Sequence, residues 1–194
     1  SFSDVLYILC CGTGVGFSCE RDEINQLPIV PEITRNEDSF IIVEDSREGW
    51  AEAYNSLLVY LYKGIHPTWE THLIRPKGAR LKTFGGRASG PEPLEKLFKF
   101  TINIFNQRSG SKLTSLDVHD LVCMIGEVVI SGGVRRSALI SLSDLDDRDM
   151  SKAKTGPWWE NSSHRSLANN SAVYDFKPSL GRFMDEWASL YDSL

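Results

Sequence analysis

The stretch LDVHDLVCMIGEVVISGGVRRSALISLSD, residues 116–144, decides the fold because it predicts a helix, a turn and a strand in direct succession. Between Leu116 and Ile130, apolar residues recur every three or four positions, as on the buried face of a helix. Ser131-Gly132-Gly133 ends that helix, since glycine adopts positive φ at a helix C-terminus at low cost. Ser137–Ser143 then alternates small or polar residues with large apolar ones, which predicts a strand entering a sheet.

The turn between this helix and this strand has the composition of a ligand-binding loop. Its two glycines allow the backbone to approach a ligand closely, and its two adjacent arginines are permanently charged planar groups suited to phosphate. A plain helix-to-strand turn with two solvated arginines is the alternative. The residues concerned are Gly132, Gly133, Val134, Arg135, Arg136 and Ser137.

Length and composition describe an ordinary globular chain. It has 194 residues, of which 41% are hydrophobic and 24% charged, so it can form one well-cored domain or a large piece of a bigger one. The net charge of -5 gives no case for nucleic-acid binding, which usually requires a basic surface. No apolar run approaches the roughly 20 residues of a membrane span.

The four cysteines do not form a recognisable metal or disulfide pattern. Cys10, Cys11, Cys19 and Cys123 are spaced neither like paired zinc ligands nor like a secreted disulfide framework. We therefore expect buried, reduced thiols in a cytoplasmic protein. A redox pair of Cys10 and Cys11 is the alternative, which the divergent directions of neighbouring helical side chains disfavour.

The N-terminal region predicts a helix followed by a glycine-rich strand. Ser1–Cys11 has a helical apolar face, and GTGVG at residues 12–16 leads into a strand at Val15–Cys19. Helix before strand, with GxGxG spacing, excludes the dinucleotide fingerprint, which requires GxGxxG after a strand. Alternate glycines on a strand indicate instead that a helix or a ligand approaches the backbone.

The middle of the chain predicts two helices separated by a second glycine-rich loop. Residues 22–45 read as a connection that includes a short strand at Phe40–Val43, and Asp45 or Ser46 caps a helix at Arg47–Lys63. Thr71–Ile74 is predicted as a strand. The loop at residues 78–91 is cationic and leads into a helix that ends at Gly110. The free backbone N–H groups at the N-terminus of this helix can bind an anion.

The C-terminal region predicts one more strand and one more helix. Leu167–Tyr174 reads as a strand headed by Asn169 and Asn170, which can hold a nucleoside or simply fix a turn. An amphipathic helix follows at Ser179–Tyr191. Because helices and strands alternate along the chain, the predicted class is α/β.

Four stretches together carry a resemblance to one family. CGTGVGFSCER, IRPKGARLKTFGGRASGPEPL, GGVRRSALISLSD and ANNSAVY resemble, in order and content, the adenosylcobalamin-dependent (class II) ribonucleotide reductases, in particular the monomeric ribonucleoside-triphosphate reductases. They begin at residues 11, 74, 132 and 168, so the resemblance covers almost the whole chain.

The resemblance implies a fold, an activity and a set of partners. The fold would be the first-half portion of a ten-stranded α/β barrel, with residues 1–194 as a single partial catalytic-barrel domain and residues 11–21 as its glycine-rich strand block. The activity would be reduction of ribonucleoside triphosphates by radical chemistry that adenosylcobalamin initiates. A deoxynucleotide effector and a thioredoxin-type reductant would be partners of the complete enzyme, with neither nucleic acid nor a membrane involved.

The resemblance also assigns binding roles to three parts of the chain. Residues 131–137, with Gly132 to Ser137 named above, would link the effector site to the substrate base. In the nucleotide-site loop at 78–91 the corresponding residues are Gly85, Gly86, Arg87, Ser89 and Gly90. Asn169 and Asn170 would lie at a strand end near the substrate.

The sequence lacks the Asn-x-Cys-x-Glu motif that carries the thiyl radical in this family, and we assign no catalytic residue. We therefore expect an internal piece that is inactive alone and needs complementary chains or the rest of the polypeptide. A non-catalytic nucleotide-binding regulatory module is the second hypothesis. An unrelated α/β domain with purely structural glycine loops is the third.

Overall fold

A computed structural model describes residues 1–80, 87–131 and 138–191 of the chain. The helices in these ranges are α1 (Phe2–Cys10), α2 (Arg21–Ile24), α3 (Arg47–Tyr62), α4 (Glu92–Gln107), α5 (Ser115–Ser131), α6 (Arg148–Ser151), α7 (Trp158–Ser162) and α8 (Leu180–Tyr191), with a 3-10 segment at Ser163–Leu167. The strands are β1 (Gly14–Ser18), β2 (Thr34–Ile42), β3 (Ile65–Glu70), β4 (Ala138–Asp144) and β5 (Ala168–Val173). The α/β class is confirmed.

The first sheet joins three of the stretches that carry the family resemblance. Its strands are all parallel, in the order β1-β4-β5. Gly14 pairs with Ala138, and Leu139 pairs with Ala168, so the three strands begin side by side at one edge. The described residues therefore show a small parallel sheet, and the ten-stranded barrel stays a prediction.

One face of this sheet is covered by helices. Helix α1 packs against β1, and α5 packs against β4. Leu139, Ser141 and Ala168 on this face are at most 2% exposed. Phe17 stacks on His119 of α5, with ring centroids 6.2 Å apart. Because side chains alternate along a strand, the residues between these point to the opposite face.

The core lies between four helices, and the apolar periodicity of the sequence identifies it. On α3, Tyr54, Leu57 and Leu61 are fully buried, as expected from the predicted helix at 47–63. The buried residues of α4 are Leu94, Leu97, Phe98, Thr101, Ile102, Ile104 and Phe105. The Tyr54 hydroxyl satisfies its hydrogen bonding inside this core, 3.2 Å from Thr101 Oγ1.

The cap of α3 resolves one alternative from the sequence. Ser46 Oγ accepts a hydrogen bond of 2.8 Å from the backbone N–H of Gly49, which makes Ser46 the N-cap. Asp45 instead accepts a hydrogen bond of 2.7 Å from Arg75 Nε. The carboxylate therefore ties the start of α3 to the segment that follows β3.

A second, two-stranded parallel sheet pairs β2 with β3, and here the sequence prediction was wrong in two places. Thr34–Ile42 is a nine-residue strand, although most of it was assigned to the connection at 22–45. The strand predicted at Thr71–Ile74 lies instead at Ile65–Glu70. The register shifts between Arg35 and Phe40, opposite Pro67, whose nitrogen has no hydrogen to donate to the ladder.

Among the helices of the described ranges, none is long and apolar enough to cross a membrane.

Candidate functional site

The loop predicted to bind nucleotide connects the end of α5 to the start of β4. Helix α5 ends at Ser131 and β4 begins at Ala138, at the edge where all three parallel strands start. The predicted residues between them lie outside the described residues; they are Gly132, Gly133, Val134, Arg135, Arg136 and Ser137. The loop therefore joins the end of a buried helix to the central strand of the sheet.

The open face of the sheet carries a row of three residues across its strands. Gly16 pairs with Ile140, and Ile140 pairs with Asn169. Ile140 is 47% exposed, and a Cβ added to Gly16 would meet no atom within 4 Å. Asn169 is also exposed. This row offers a flat apolar surface beside an amide that can both donate and accept hydrogen bonds.

The two predicted asparagines do not share a face. Asn170 pairs with Ser141, which belongs to the helix-covered face, whereas Asn169 belongs to the open row. Both are exposed because β5 is an edge strand. If a ligand occupies the open face, Asn169 can contact it through its side chain.

The glycines of β1 also have different surroundings. A Cβ on Gly14 would lie 3.2 Å from the carbonyl oxygen of Ala138 and 3.3 Å from its Cβ. The close neighbour of Gly14 is therefore the adjacent strand, and not the helix or ligand that the sequence suggested. Gly16, with open space above it, remains the position where a ligand can approach the backbone.

The base of the second predicted loop is closed by hydrogen bonds. The N–H of Gly78 donates to Ala88 O at 2.8 Å, and the N–H of Ala88 donates to Ala79 O at 2.7 Å. Arg80 and Arg87 form an antiparallel bridge, and Arg87 Nη1 donates to Gly78 O at 3.0 Å. Gly85 and Gly86 lie outside the described residues.

The segment from this loop to α4 depends on one glycine. Gly90 has φ of +81°, a conformation that costs other residues strain, and Ser89 Oγ donates to its carbonyl at 3.1 Å. Helix α4 then begins without a side-chain cap, and its first turn carries Glu92 and Glu95. These two carboxylates oppose an anion at this helix N-terminus, so the bare backbone amides are not a ready phosphate site.

A cleft lies beside Glu92, which follows one predicted loop, and Ser131, at the start of the other. It has a volume of about 210 Å³ and lies between the start of α4 and the end of α5. Met124 and Val128 give it apolar walls, and Lys96 Nζ lies 2.5 Å from Glu127 Oε1. Ser131, the last residue before the loop at 132–137, also lines it. The structure therefore brings the roots of both loops to one place.

A buried polar network, which the sequence did not indicate, lies beneath β5. Arg165 binds both carboxylate oxygens of Asp120, at 2.6 and 2.7 Å. His164 Nε2 lies 3.2 Å from Asp120 Oδ1. Burial alone would raise the pKa of Asp120, but the adjacent His164 imidazole and the two hydrogen bonds from Arg165 outweigh it, and the pKa is lowered. Asp120 is therefore an ionised carboxylate inside the fold.

The cysteines on this side of the sheet are unreactive by environment. Burial raises the pKa of Cys19 and of Cys123 to about 12 and that of Cys10 to about 11. Cys123 Sγ lies 3.7 Å from Nε2 of His119, whose pKa burial lowers to about 4. Cys10, Cys19 and Cys123 are free and buried, as predicted, whereas Cys11 is half-buried.

A parallel sheet with one open face and a cleft between the start of α4 and the end of α5 form the candidate site. Residues 20–105 match a sequence model of the insertion domain of B12-dependent ribonucleotide reductases. That segment contains the second sheet and the loop at 78–91 and lies between β1 and β4.

The curated relatives are adenosylcobalamin-dependent ribonucleoside-triphosphate reductases. The protein of Lactobacillus helveticus (strain DPC 4571) is 34% identical over 211 residues, which cover 89% of this chain and 28% of the relative. The Lactobacillus leichmannii protein is 33% identical over 210 residues, covering 90% and 28%. A crystal structure of a B12-dependent (class II) ribonucleotide reductase matches with a TM-score of 0.78 and 29% identity, over 90% of this chain and 28% of that one.

The resemblance seen in the sequence is thereby confirmed. The homologues of this chain are adenosylcobalamin-dependent ribonucleotide reductases, and the chain spans about 28% of the length of the relatives it matches. An unrelated α/β domain is excluded.

Proposed function

We propose that this chain is part of a cytoplasmic ribonucleoside-triphosphate reductase, which converts ribonucleotides to deoxyribonucleotides by adenosylcobalamin-initiated radical chemistry. The observation that carries this proposal is the structural match to a class II reductase, at a TM-score of 0.78 over 90% of the chain. A thioredoxin-type protein would be the reductant of the complete enzyme.

The chain would supply the barrel scaffold and two nucleotide loops. Strands β1, β4 and β5 would belong to the first half of a ten-stranded barrel, within one catalytic domain over residues 1–194. Their open face, with Gly16, Ile140 and Asn169, would look into the barrel and form a wall against the substrate. The open space supports this assignment, because Ile140 of the central strand is 47% exposed and the position above Gly16 is free for a ligand.

The effector would bind near the cleft between α4 and α5. The apolar side chains of Met124 and Val128 suit a flat base. The phosphates would lie outside the cleft, because Glu92 and Glu127 line it and Lys96 is paired with Glu127. The loop at 131–137 starts from this cleft and ends at β4, so a nucleotide held there can influence the open face. Arg135 and Arg136 would contact its phosphates, and Arg87, Ser89 and Gly90 would shape the neighbouring loop.

No described residue is assigned to the cobalamin. In the described ranges there is no group of three or more His, Cys, Asp or Glu side chains that could hold a metal ion. The open row likewise offers no ligand of that kind, since its members are glycine, isoleucine and asparagine. We therefore derive no step of the reaction through this cofactor from the residues of this chain.

The test is to express the complete coding region that contains this segment and to assay deoxynucleotide formation. The assay contains ribonucleoside triphosphates, adenosylcobalamin and a dithiol, and the 194-residue chain is assayed beside it. We expect activity from the complete protein and none from the chain alone. Without a thiyl-forming cysteine motif in the coding region, and without activity, the reductase assignment would be wrong.

The second candidate, a regulatory module without catalysis, is favoured by the cleft because it needs only nucleotide binding. Changing both Arg135 and Arg136 to Ala separates the two functions. In a reductase, the double variant should alter the effector's influence on substrate choice. In a module, it should weaken nucleotide binding in a protein without reductase activity. The matched control is Arg148→Ala with Arg182→Ala, which removes two positive charges from exposed sites.

A further inference from the structure

Helix α8 carries an apolar face that the rest of the described chain leaves largely uncovered. Six large side chains recur every three or four positions along one side of this helix, as on a buried face. Their exposed fractions range from 46% for Met184 to 77% for Leu180. Among the α8 side chains that the structure describes, Glu186 is half-buried and the others are exposed. The six apolar residues are Leu180, Phe183, Met184, Trp187, Leu190 and Tyr191.

A helix of this length needs a packing partner to be stable. Helix α8 has 12 residues, and isolated helices shorter than about 12–15 residues are marginal in water. Its local contacts are modest: Ser179 Oγ accepts a hydrogen bond of 3.3 Å from the N–H of Arg182, and the rings of Trp187 and Tyr191 stack at 5.5 Å. Both rings stay more than half exposed. The apolar face therefore indicates an interaction surface.

The face is large enough for a pair of identical helices. Three aromatic and three aliphatic side chains, each about half exposed or more, offer roughly 600 Å² on one copy and so about 1,200 Å² on two. Specific protein interfaces begin at about 1,200 Å² of total buried surface. Because the apolar side chains continue along the whole helix, a second α8 matches this face from end to end.

The charges beside the apolar face favour an antiparallel pair. Arg182 and Glu186 lie one turn apart along the same edge of this face. In an antiparallel pair related by a two-fold axis, the same edges of both helices meet. With the axis near Asp185, at the middle of the face, Arg182 of one copy lies beside Glu186 of the other. In a parallel pair these edges would lie on opposite sides.

A lipid surface is a poorer match to α8 than a second copy. Helices that lie on membranes carry mostly lysine and arginine on their polar side. Helix α8 has one arginine and two acidic residues, so its polar side is not cationic. The same composition suits a helix whose charges pair across a two-fold axis.

We propose that this chain forms an antiparallel dimer through the apolar face of α8, with Trp187 near the centre of the contact. The contact is isologous, so each copy contributes the same residues. It requires no nucleotide, and its test is therefore independent of the proposed function.

The experiment is sedimentation analysis of the 194-residue chain over a series of concentrations. Trp187→Asp places a charge at the centre of the contact and should weaken dimerisation by about 100-fold or more, as expected for a central aromatic side chain at an interface. Trp159→Asp is the matched control, because Trp159 of α7 is 59% exposed and Trp187 is 52% exposed. The control should dimerise like the wild-type chain.

A second pair of variants tests the antiparallel direction without loss of apolar surface. Arg182→Glu makes the edge of the face acidic, and Glu186→Arg makes it basic, so each variant alone should dimerise roughly tenfold more weakly. An equimolar mixture of the two should form mixed dimers, because an acidic edge then meets a basic one. These variants also test the proposal if Trp187→Asp does not fold.

Three results would overturn the proposal. A wild-type chain that stays monomeric throughout the series would show that α8 does not pair with itself; protection of residues 180–191 from hydrogen exchange in the complete protein alone would then assign the face to another part of the polypeptide. A dimer that persists in Trp187→Asp would place the interface elsewhere. Charge variants that associate no better in the mixture than separately would refute the antiparallel arrangement.

Discussion

The two glycines of β1 should respond in opposite directions to the addition of a single methyl group. Gly14 and Gly16 lie two positions apart on the same face of β1, with Val15 between them, so their positions in the strand are closely similar. Neither has a positive φ, so alanine fits the backbone at both. The pair therefore isolates one variable, which is the space above the strand.

The expected magnitudes follow from the surroundings of each Cβ. Gly16→Ala meets nothing within 4 Å and removes the entropic cost of glycine in a strand, a gain of about 0.5–1 kcal/mol. Gly14→Ala gains the same amount but places its methyl 3.2 and 3.3 Å from Ala138, and overpacking of that kind costs about 1–3 kcal/mol. The free energies of unfolding of the two variants should therefore differ by about 1–3 kcal/mol.

The assay is urea unfolding of both variants beside the wild-type chain, followed by thermal unfolding. At this chain length, 1 kcal/mol corresponds to about 2–4 °C in Tm, so the two variants should be separated by several degrees. Equal destabilisation by both alanines would show that atoms pack against Gly16, and the description of this sheet face as open would then be wrong. A larger Gly16→Val substitution should keep the fold and block the open face, so that the complete reductase loses substrate binding.

Two further predictions concern buried titratable groups. The pKa of His119 is about 4 in the fold against an ordinary 6.5, so between pH 4 and 6.5 the unfolded chain binds more protons than the folded one. The free energy of unfolding should therefore fall by about 3 kcal/mol as the pH drops from 6.5 towards 4. His119→Gln should flatten this dependence in urea titrations, and an unchanged dependence would assign it to other groups. A thiol reagent should modify Cys11 of the native chain first, because burial protects Cys10, Cys19 and Cys123. Cys11→Ser should remove this fast phase of modification. A fast phase that persists in the variant would place another thiol at the surface.

Local patterns in the sequence were sufficient for the long helices and for the individual strands of the first sheet, but not for the pairing of those strands. The apolar spacing of α3 to α5 is set by burial on one side, so Tyr54, Leu97 and Leu121 could be placed in the core without a structure. Strand β4 was predicted within one residue at each end. In these elements the apolar pattern of the local sequence and the tertiary contacts favour the same secondary structure.

The errors arose where a distant partner decides the structure. Strand β3 contains Pro67, which normally argues against a strand, but its edge position beside a register shift tolerates the missing N–H. Strand alternation alone puts Asn169 and Asn170 on opposite faces, but which of them lies on the open face depends on which face α5 covers, and the local sequence does not contain that information. The contact of Asp120 with Arg165 spans 45 positions, so no local pattern announced it.

Residues 20–105, which match the insertion-domain model, separate β1 from β4 in the sequence, and this affects how the chain folds. Cys19 and Ser141 touch although 122 positions separate them, and the pairing of β1 with β4 ends beside this contact. Closing a flexible loop of that length would cost about 4 kcal/mol of chain entropy before any strand contact forms. Since α3, α4 and the second sheet lie within the intervening segment, their prior folding would shorten the effective loop. We therefore expect pairing of β1 with β4 to be a late step in folding.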